Sequence, residues 1–575
     1  MDGEWKCVAV ALLCTVSVSV FLLKWREQKK VNRKLQRARD KREKEIRQAE
    51  NAIRSFKAQN PAADLSSIMT LPLPELRQRI KGGSLQPNAV LYAYMEKALE
   101  VNKKLNCITA VLTESFKHLD DIESHKDGLL YGIPISIKDN LDYKGYDSTC
   151  GLLTKLDDPA SKDCVVVSVL KKQGAIPFVK TNIPQSLISY DCSNPIYGRT
   201  LNPCNLKKIP GGSSGGEGAL IASGGSILGL GTDLGGSVRV PAAFCGICGL
   251  KPTRNRISML GLTSSTKGIK TVHSTIGPMA RDVESLALCM RALLCTDMFT
   301  LDATVPPIPF NQEVYESSKP LRIGYYENNG YSQPSPSMSR ALRETKELLE
   351  KAGHTLIPFT HPRISTVYNE LCMKGVNADG GVTVLKHFKE GPVDPCLQKQ
   401  VTQWRRPKFI KKMMSLLCRF TYPHMAASIQ ANCGVNSPAD MWKQQSEAED
   451  YTKETIDEWR KLELDVLLCP MLGPAYNFNC TSNLLCAPSY IILYNLLNFP
   501  VGVVPVTKVT AVDEDLLKDH KESSGDIWPE TIQGGVGLPV AVQCVALPWQ
   551  EEMCLRFMRE VEELWAKHKR SNTHH

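Results

Sequence analysis

The chain has 575 residues, 42% hydrophobic and 23% charged, a balance that fits a folded body and excludes a disordered or collagen-like chain. No Pro/Ser/Gly-rich linker, low-complexity tract or fixed-period repeat interrupts residues 60–570, so one large α/β unit is expected there. The net charge of +10 is local: residues 24–54 hold 13 Lys/Arg against 5 Asp/Glu. The remainder lacks the basic-aromatic interleaving of a nucleic-acid binder, so no nucleic-acid partner is expected. The 20 cysteines form no spacing framework. Cys245 and Cys248 read C-x-x-C, but no second ligand pair follows, so free thiols in a reducing compartment are expected, with no metal.

In chain order, residues 7–23, "CVAVALLCTVSVSVFLL", are uncharged and bracketed by Trp5 and Trp25. That length just reaches a membrane span with tryptophans at the interfaces. A cleaved signal peptide competes, but no small-residue cleavage site follows, which favours a retained signal-anchor helix. Lys24, Arg26, Lys29, Lys30 and Arg33 follow it, placing the body in the cytosol by the positive-inside tendency. Residues 24–60 read as a solvated, basic juxtamembrane helix.

At 130–140, "LYGIPISIKDN" alternates as a strand, with Ile133, Ile135 and Ile137 on one face and Ser136 and Lys138 on the other. A lysine there is either a snorkelling surface residue or a partly buried functional amine. "GAIPFVKTNIPQS" repeats a short strand running into a loop. Two glycine-serine runs follow, "GGSSGGEG" at 211–218 and "GTDLGGSVR" at 231–239. Glu217 falls in a plausible first helical turn, where it complements the dipole. A second helix is expected to begin near Ser237.

Neither run ends in Lys-Ser/Thr, which excludes a phosphate-binding P-loop. "GGSSG" matches G-x-S-x-G and would make Ser213 the nucleophile of an elbow, yet no HGGG-like motif lies upstream and no histidine shares a motif. A third reading uses no histidine. Ser237 attacks, the N–H groups from Leu234 through Gly236 surround an oxyanion, Lys138 is the base once desolvated, and Ser213 relays the proton. Further on, "VTQWRRPKFIKKMMSLLCRF" at 401–420 interleaves Trp404, Phe409, Ile410, Met413, Met414, Leu416, Leu417 and Phe420 with Lys and Arg. This is either a membrane-surface helix or a core helix with a basic outer side.

The stretch 211–253 and "GIPISIKDN" resemble the amidase signature, and on them the chain is identified as a member of that family, from about residue 90 to "GLPVAVQCVALPWQEE" at 537–552. The resemblance implies an α/β amidase-signature fold over 61–570: a large mixed, twisted sheet surrounded by helices. It implies Ser237 as nucleophile, Ser213 as a bridging cis-peptide serine and Lys138 as base, with the backbone of Leu234, Gly235, Gly236 and Ser237 binding substrate, and no cofactor. "LPLPELRQRI", "SYDCSNPIYGRT" and "LPWQEEMCLRFMREVE" are similar to the branch that hydrolyses fatty-acid amides in vertebrate membranes. That branch implies cleavage of N-acylethanolamines and primary fatty amides, a membrane-binding cap at 401–430, and Leu187 and Ile188 near an acyl channel. It also implies membrane-lipid partners, a homodimer, and a single-pass endomembrane location (endoplasmic reticulum or Golgi). The alternatives are an amidase of other small or ester substrates, and a catalytically dead scaffold.

Overall fold

A computed structural model describes residues 2–62, 64–520 and 525–573; the side chains of 2–7, 9–11 and 572–573 fall outside the description. The strands are β1 (Ile108–Val111), β2 (Pro134–Lys138), β3 (Ile176–Thr181), β4 (Ser193–Asn194), β5 (Gly198–Arg199), β6 (Leu228–Asp233), β7 (Cys248–Lys251), β8 (Thr275–Ala280), β9 (Arg322–Tyr325), β10 (Thr355–Pro358), β11 (Val466–Pro470), β12 (Val501–Lys508) and β13 (Pro539–Val545). Eleven form one sheet in the order β1-β3-β2-β6-β8-β7-β12-β13-β11-β9-β10, and β4–β5 make a small separate hairpin. The helices used below are α1 (Asp2–Gln59), α2 (Pro87–Leu105), α3 (Gly215–Ala222), α4 (Arg239–Cys245), α5 (Gln398–Arg405), α6 (Lys408–Cys418), α7 (Pro423–Ala431), α8 (Pro438–Lys461), α9 (Ser489–Leu496) and α10 (Glu551–Thr573).

The sheet is mixed. β2 runs parallel to both β3 and β6, so the three strands deliver their C-terminal ends to one edge. At β6 the direction of pairing changes, since β6–β8 is antiparallel. A crevice outside the carboxyl ends of parallel strands is where α/β sheets place ligands. Helices cover both faces, and β2, β3, β6 and β8 are buried at every position. The alternation in "GIPISIKDN" therefore does not separate a dry face from a wet one: Ser136 and Lys138 are fully buried. Burial of both faces is the ordinary condition of parallel strands.

α1 differs from its expectation as a solvated tether. It is one 58-residue helix, roughly 87 Å long at 1.5 Å per residue, and its second half packs on the body. Leu35, Glu45, Ala49, Ile53 and Phe56 are buried. Glu45 Oε2 accepts the Val111 N–H at 3.2 Å, and Arg39 Nε donates to the Ile196 carbonyl at 2.8 Å. The helix thus covers edge strand β1, whose free backbone groups would otherwise be exposed. The first half is different. Leu12, Leu13, Val16, Val18, Phe21 and Leu23 are all exposed. Among the described residues no helix is long and apolar enough to cross a membrane; the expected span at 7–23 falls partly on side chains outside the described residues.

The 401–420 segment is not one helix. Pro407 separates α5 from α6, and α6 folds back on α7. Ser415 Oγ donates to the Ala426 carbonyl at 2.9 Å and Lys411 Nζ to the Asn432 carbonyl at 2.8 Å. Lys411 is therefore buried and not part of a basic outer rim. Trp404, expected on the apolar stripe, sits inside a cluster with Val384, Phe388, Leu397 and Val401, and its Nε1 donates to Asn377 Oδ1 at 2.9 Å. The outward apolar surface comes from Phe409, Met413, Leu416, Leu417, Phe420 and Tyr422 instead, with Phe420 91% exposed.

A chain lacking residues 1–30 is expected to melt within about 3 °C of the full chain, because the packed part of α1 begins beyond them. Removing 1–59 also strips Leu35, Ile53 and Phe56 from the core, at ~1–3 kcal/mol each, and uncovers β1. Differential scanning calorimetry should then show a clearly lower melting temperature.

Candidate active site

Lys138 ends β2, and its amine is enclosed by three oxygens. It lies 2.7 Å from Ser213 Oγ, 2.8 Å from Thr232 Oγ1 and 3.3 Å from the Thr232 carbonyl. Lys138 is fully buried, and that burial pushes its pKa down to about 7 against the opposing pull of Asp233. The amine can thus be neutral near neutral pH. The Gly212–Ser213 peptide is cis.

The two glycine runs are fastened to each other. Ser214 N–H donates to the Ser237 carbonyl at 3.1 Å, and Thr232 N–H donates to Ser214 Oγ at 3.3 Å. β6 can lie this close to α3 because Gly229 has no side chain: a Cβ there would stand 2.0 Å from Glu217 Oε2. Glu217 falls in the first turn of α3, as expected, but does not face solvent. It is fully buried between Ser136 Oγ at 2.5 Å and Thr181 Oγ1 at 2.8 Å, both donating to it. Burial pushes its pKa up to about 7, with those two hydrogen bonds opposing.

Asp233 organises the loop that carries Ser237. Its carboxylate accepts from Arg239 Nε and Nη2, each at 3.0 Å, from Val238 N–H at 3.1 Å and from Asn495 Nδ2 at 3.0 Å. Burial alone would raise its pKa; the fully buried Arg239 guanidinium and Asn495 outweigh that and hold the group well below the carboxylate range. Arg239 reaches on to Ile491 O and Gln543 Oε1, both at 3.0 Å, and to Asn495 Oδ1 at 2.6 Å.

Of the four backbone N–H groups expected to bind substrate, one has a partner within the loop itself. Gly236 N–H donates to Asp233 Oδ1 at 2.8 Å, and the other end of the same peptide, the Gly235 carbonyl, accepts from Tyr190 Oη at 2.8 Å. That peptide is turned away from the crevice, in a conformation with φ +98° at Gly236 that suits glycine. No partner among the described residues accepts from the N–H groups of Leu234, Gly235 or Ser237. Ser237 is half-buried and precedes α4, which starts two residues on at Arg239, near where a helix was expected. The structure brings Lys138 and Ser213 together. It gives Ser213 Oγ no hydrogen bond to Ser237 Oγ; the two runs meet there through the Ser214–Ser237 backbone bond.

Leu187 and Ile188 lie between Gln185 and Tyr190, whose hydroxyl reaches this loop, with φ +64° at Leu187. Leu187 packs on Cys150, Leu152 and Ile183, and Ile188 packs on the cluster around Trp404. The C-x-x-C thiols diverge: Cys245 Sγ donates to the Pro210 carbonyl and Cys248 Sγ to Glu562. A cavity of about 600 Å³ lies between α8 and residues 270–273 and is lined by none of Lys138, Ser213 or Ser237.

Sequence reasoning passed over Thr232, Asp233, Arg239 and Asn495. The first three stood inside "GTDLGGSVR" as a signal, an acid and a base flanking the loop. Asn495, over 250 residues away, had none.

A family model described as Amidase matches residues 89–555. Fatty-acid amide hydrolase 1 of Sus scrofa is 51% identical over 97% of this chain and 96% of its own. Vitamin D3 hydroxylase-associated protein of Gallus gallus is 50% identical, over 77% of this chain and 96% of its own. A solved structure titled "Fatty acid amide hydrolase" superposes with a TM-score of 0.77 at 26% identity, covering 94% of this chain and 96% of that one. The chain belongs to the amidase family.

Replacing Asp233 by Ala leaves the Arg239 guanidinium buried without its carboxylate, which costs about 3–5 kcal/mol. Denaturant titration should register that loss. An unchanged midpoint would mean that the pair does not hold the loop.

Proposed function

We propose that this amidase is a membrane-bound serine hydrolase that cleaves fatty-acid amides, N-acylethanolamines and primary amides alike, to fatty acid plus amine or ammonia. The observation that carries the chemistry is the buried Lys138 amine, 2.7 Å from Ser213 Oγ. The resemblance to fatty-acid amide hydrolase 1 across 97% of the chain supports the substrate class.

In the neutral amine, two protons point at the two oxygens of Thr232 and the lone pair faces the Ser213 hydroxyl. Lowering the Lys138 pKa from 10.5 to about 7 corresponds to roughly 5 kcal/mol of differential stabilisation of the neutral form. Ser213 passes its proton to Lys138 as it takes that of Ser237, and Ser237 Oγ attacks the amide carbonyl. The contact between the two hydroxyls closes when substrate occupies the crevice, as catalytic hydrogen bonds commonly tighten on binding. The N–H groups of Leu234, Gly235 and Ser237 receive the oxyanion. The relay in reverse protonates the leaving nitrogen, and water then hydrolyses the acyl-Ser237 ester. Leu187 and Ile188 contribute to the acyl-binding wall.

The α6–α7 hairpin acts as the membrane-binding cap. Its exposed Phe409, Leu416, Leu417 and Phe420 enter one leaflet while Arg405, Lys412 and Arg419 meet anionic headgroups. The apolar segment 7–23 adds a single anchor that leaves the catalytic unit in the cytosol at an endomembrane. A homodimer, which the amidase resemblance implies, would let two caps engage one bilayer.

A fluorophosphonate probe is expected to label the wild type and fail on Ser237→Ala; equal labelling of both would exclude Ser237 as the nucleophile. Since Lys138 works as the neutral amine, wild-type kcat/KM should rise through about pH 7 and level off above it. Lys138→Ala should lose about 10²–10⁴-fold at neutral pH and less as hydroxide rises; a pH-independent defect would remove Lys138 from the base role. The chain lacking residues 1–30 should still sediment with anionic vesicles, and changing Phe409, Leu416, Leu417 and Phe420 together to Ser should release it.

A further inference from the structure

The segment 185–194 touches the catalytic loop at one end and the foot of the cap at the other. Tyr190 Oη grips the Gly235 carbonyl. Gly212 also depends on this segment, since a Cβ there would stand 2.4 Å from the Ser189 carbonyl. On the opposite side Ile188 is seated in the apolar cluster of Val384, Phe388, Leu397, Val401 and Trp404. These residues lead directly into α6.

What joins the two sides is Gln185. Its carboxamide is almost fully buried and binds the backbone of 392–394 like an added strand. Nε2 donates to the Pro392 carbonyl at 3.0 Å, and Oε1 accepts the Asp394 N–H at 2.8 Å. Ser193 Oγ donates to Asp394 Oδ2 at 2.8 Å and so fastens the same peptide from the far end of the segment. Asp394 Oδ1 in turn accepts the Cys396 N–H at 3.1 Å, which starts the chain into α5. Immediately after Gln185, Ser186 and Leu187 both take positive φ, 59° and 64°. Neither residue suits that region, so the turn that aims Leu187 and Ile188 depends on being held at its ends. The Ser186 carbonyl is held too, by Ser265 Oγ at 2.5 Å.

We propose that Gln185 is a positioning residue that locks the acyl-binding wall to the foot of the cap, and so sets how well long acyl chains are held without entering the chemistry. This rests on the reading of the crevice as a fatty-amide site. Gln185 makes no hydrogen bond to Lys138, Ser213, Thr232 or Ser237. Asp233 and Arg239 hold the Ser237 loop from β6 and α4, and Tyr190 holds it from five residues beyond Gln185, so the loss of Gln185 should leave that loop able to react. Long chains should suffer and short ones should not, because only a long chain extends along a wall whose position now varies.

The test compares Gln185→Ala with wild type on two amides, oleamide in detergent micelles and soluble hexanamide. For Gln185→Ala the expected result is a KM for oleamide raised about tenfold, with its kcat and the kcat/KM for hexanamide within twofold of wild type. An equal fall on both amides would overturn the proposal by making Gln185 a general structural or catalytic residue, and no change on either would overturn it by removing the coupling. Should Gln185→Ala fail to fold, Ser193→Ala loosens the same peptide from the other side and must show the same split, smaller in size; its absence overturns the proposal. If wild type turns over hexanamide but not oleamide, the substrate reading fails, an outcome separate from any result on Gln185.

Discussion

The ion pair between Asp233 and Arg239 is the interaction on which the rest of the site depends. Both groups are fully buried, at the junction of β6, the loop that carries Ser237 and α4. A pair so buried contributes little net stability, because desolvation offsets its attraction. What it contributes here is orientation. Asp233 accepts from four directions and thereby turns the 235–236 peptide outward, leaving the N–H groups on either side of it unclaimed. Arg239 carries the same constraint to α9 and β13 through Ile491, Asn495 and Gln543. The loop is thus held from several sides at once by hydrogen bonds.

Burial decides the protonation of the groups around this pair. Lys138 and Glu217 are driven toward neutrality from opposite sides, the amine down and the carboxyl up, each to about 7. Asp233 is equally buried, yet an arginine at 3.0 Å keeps it ionised. One low-dielectric pocket thus holds an amine brought near neutrality and a permanent anion, and the difference lies in whether each group has a full counter-charge. Glycines in β6 and α3 let the backbone approach closely enough to make that pocket dry.

Outside the site, the same chemistry of apolar surface is used in two opposite ways. The second half of α1 buries its apolar residues over an edge strand, while α6 and α7 leave theirs outward, rimmed by arginine and lysine. A soluble chain rarely presents so many large apolar groups together. The proline at 407 makes the difference possible: it ends α5 with Trp404 inside and lets α6 start in a new direction.

The residue types of the site were legible in the chain alone. A lysine ending an alternating strand and two glycine-serine runs 20 residues apart left a serine–lysine relay and a G-x-S-x-G elbow both open, and only the resemblance of 211–253 and "GIPISIKDN" to the amidase signature favoured the relay. The sheet was legible in outline, since short apolar strands bounded by glycine and proline recur along it. Other features were beyond local pattern. Whether Ser136 and Lys138 face water depends on helices covering both sides of β2. That the Gly236 N–H belongs to Asp233 depends on Tyr190 and Asn495, and that Trp404 faces inward depends on Asn377. Sequence by itself determined which groups are present and in what order, because side-chain chemistry and backbone permissiveness are local properties. The tertiary structure alone decided which of them are dry, which donors stay free and which surfaces face outward, because burial and peptide orientation are set by partners up to hundreds of residues away.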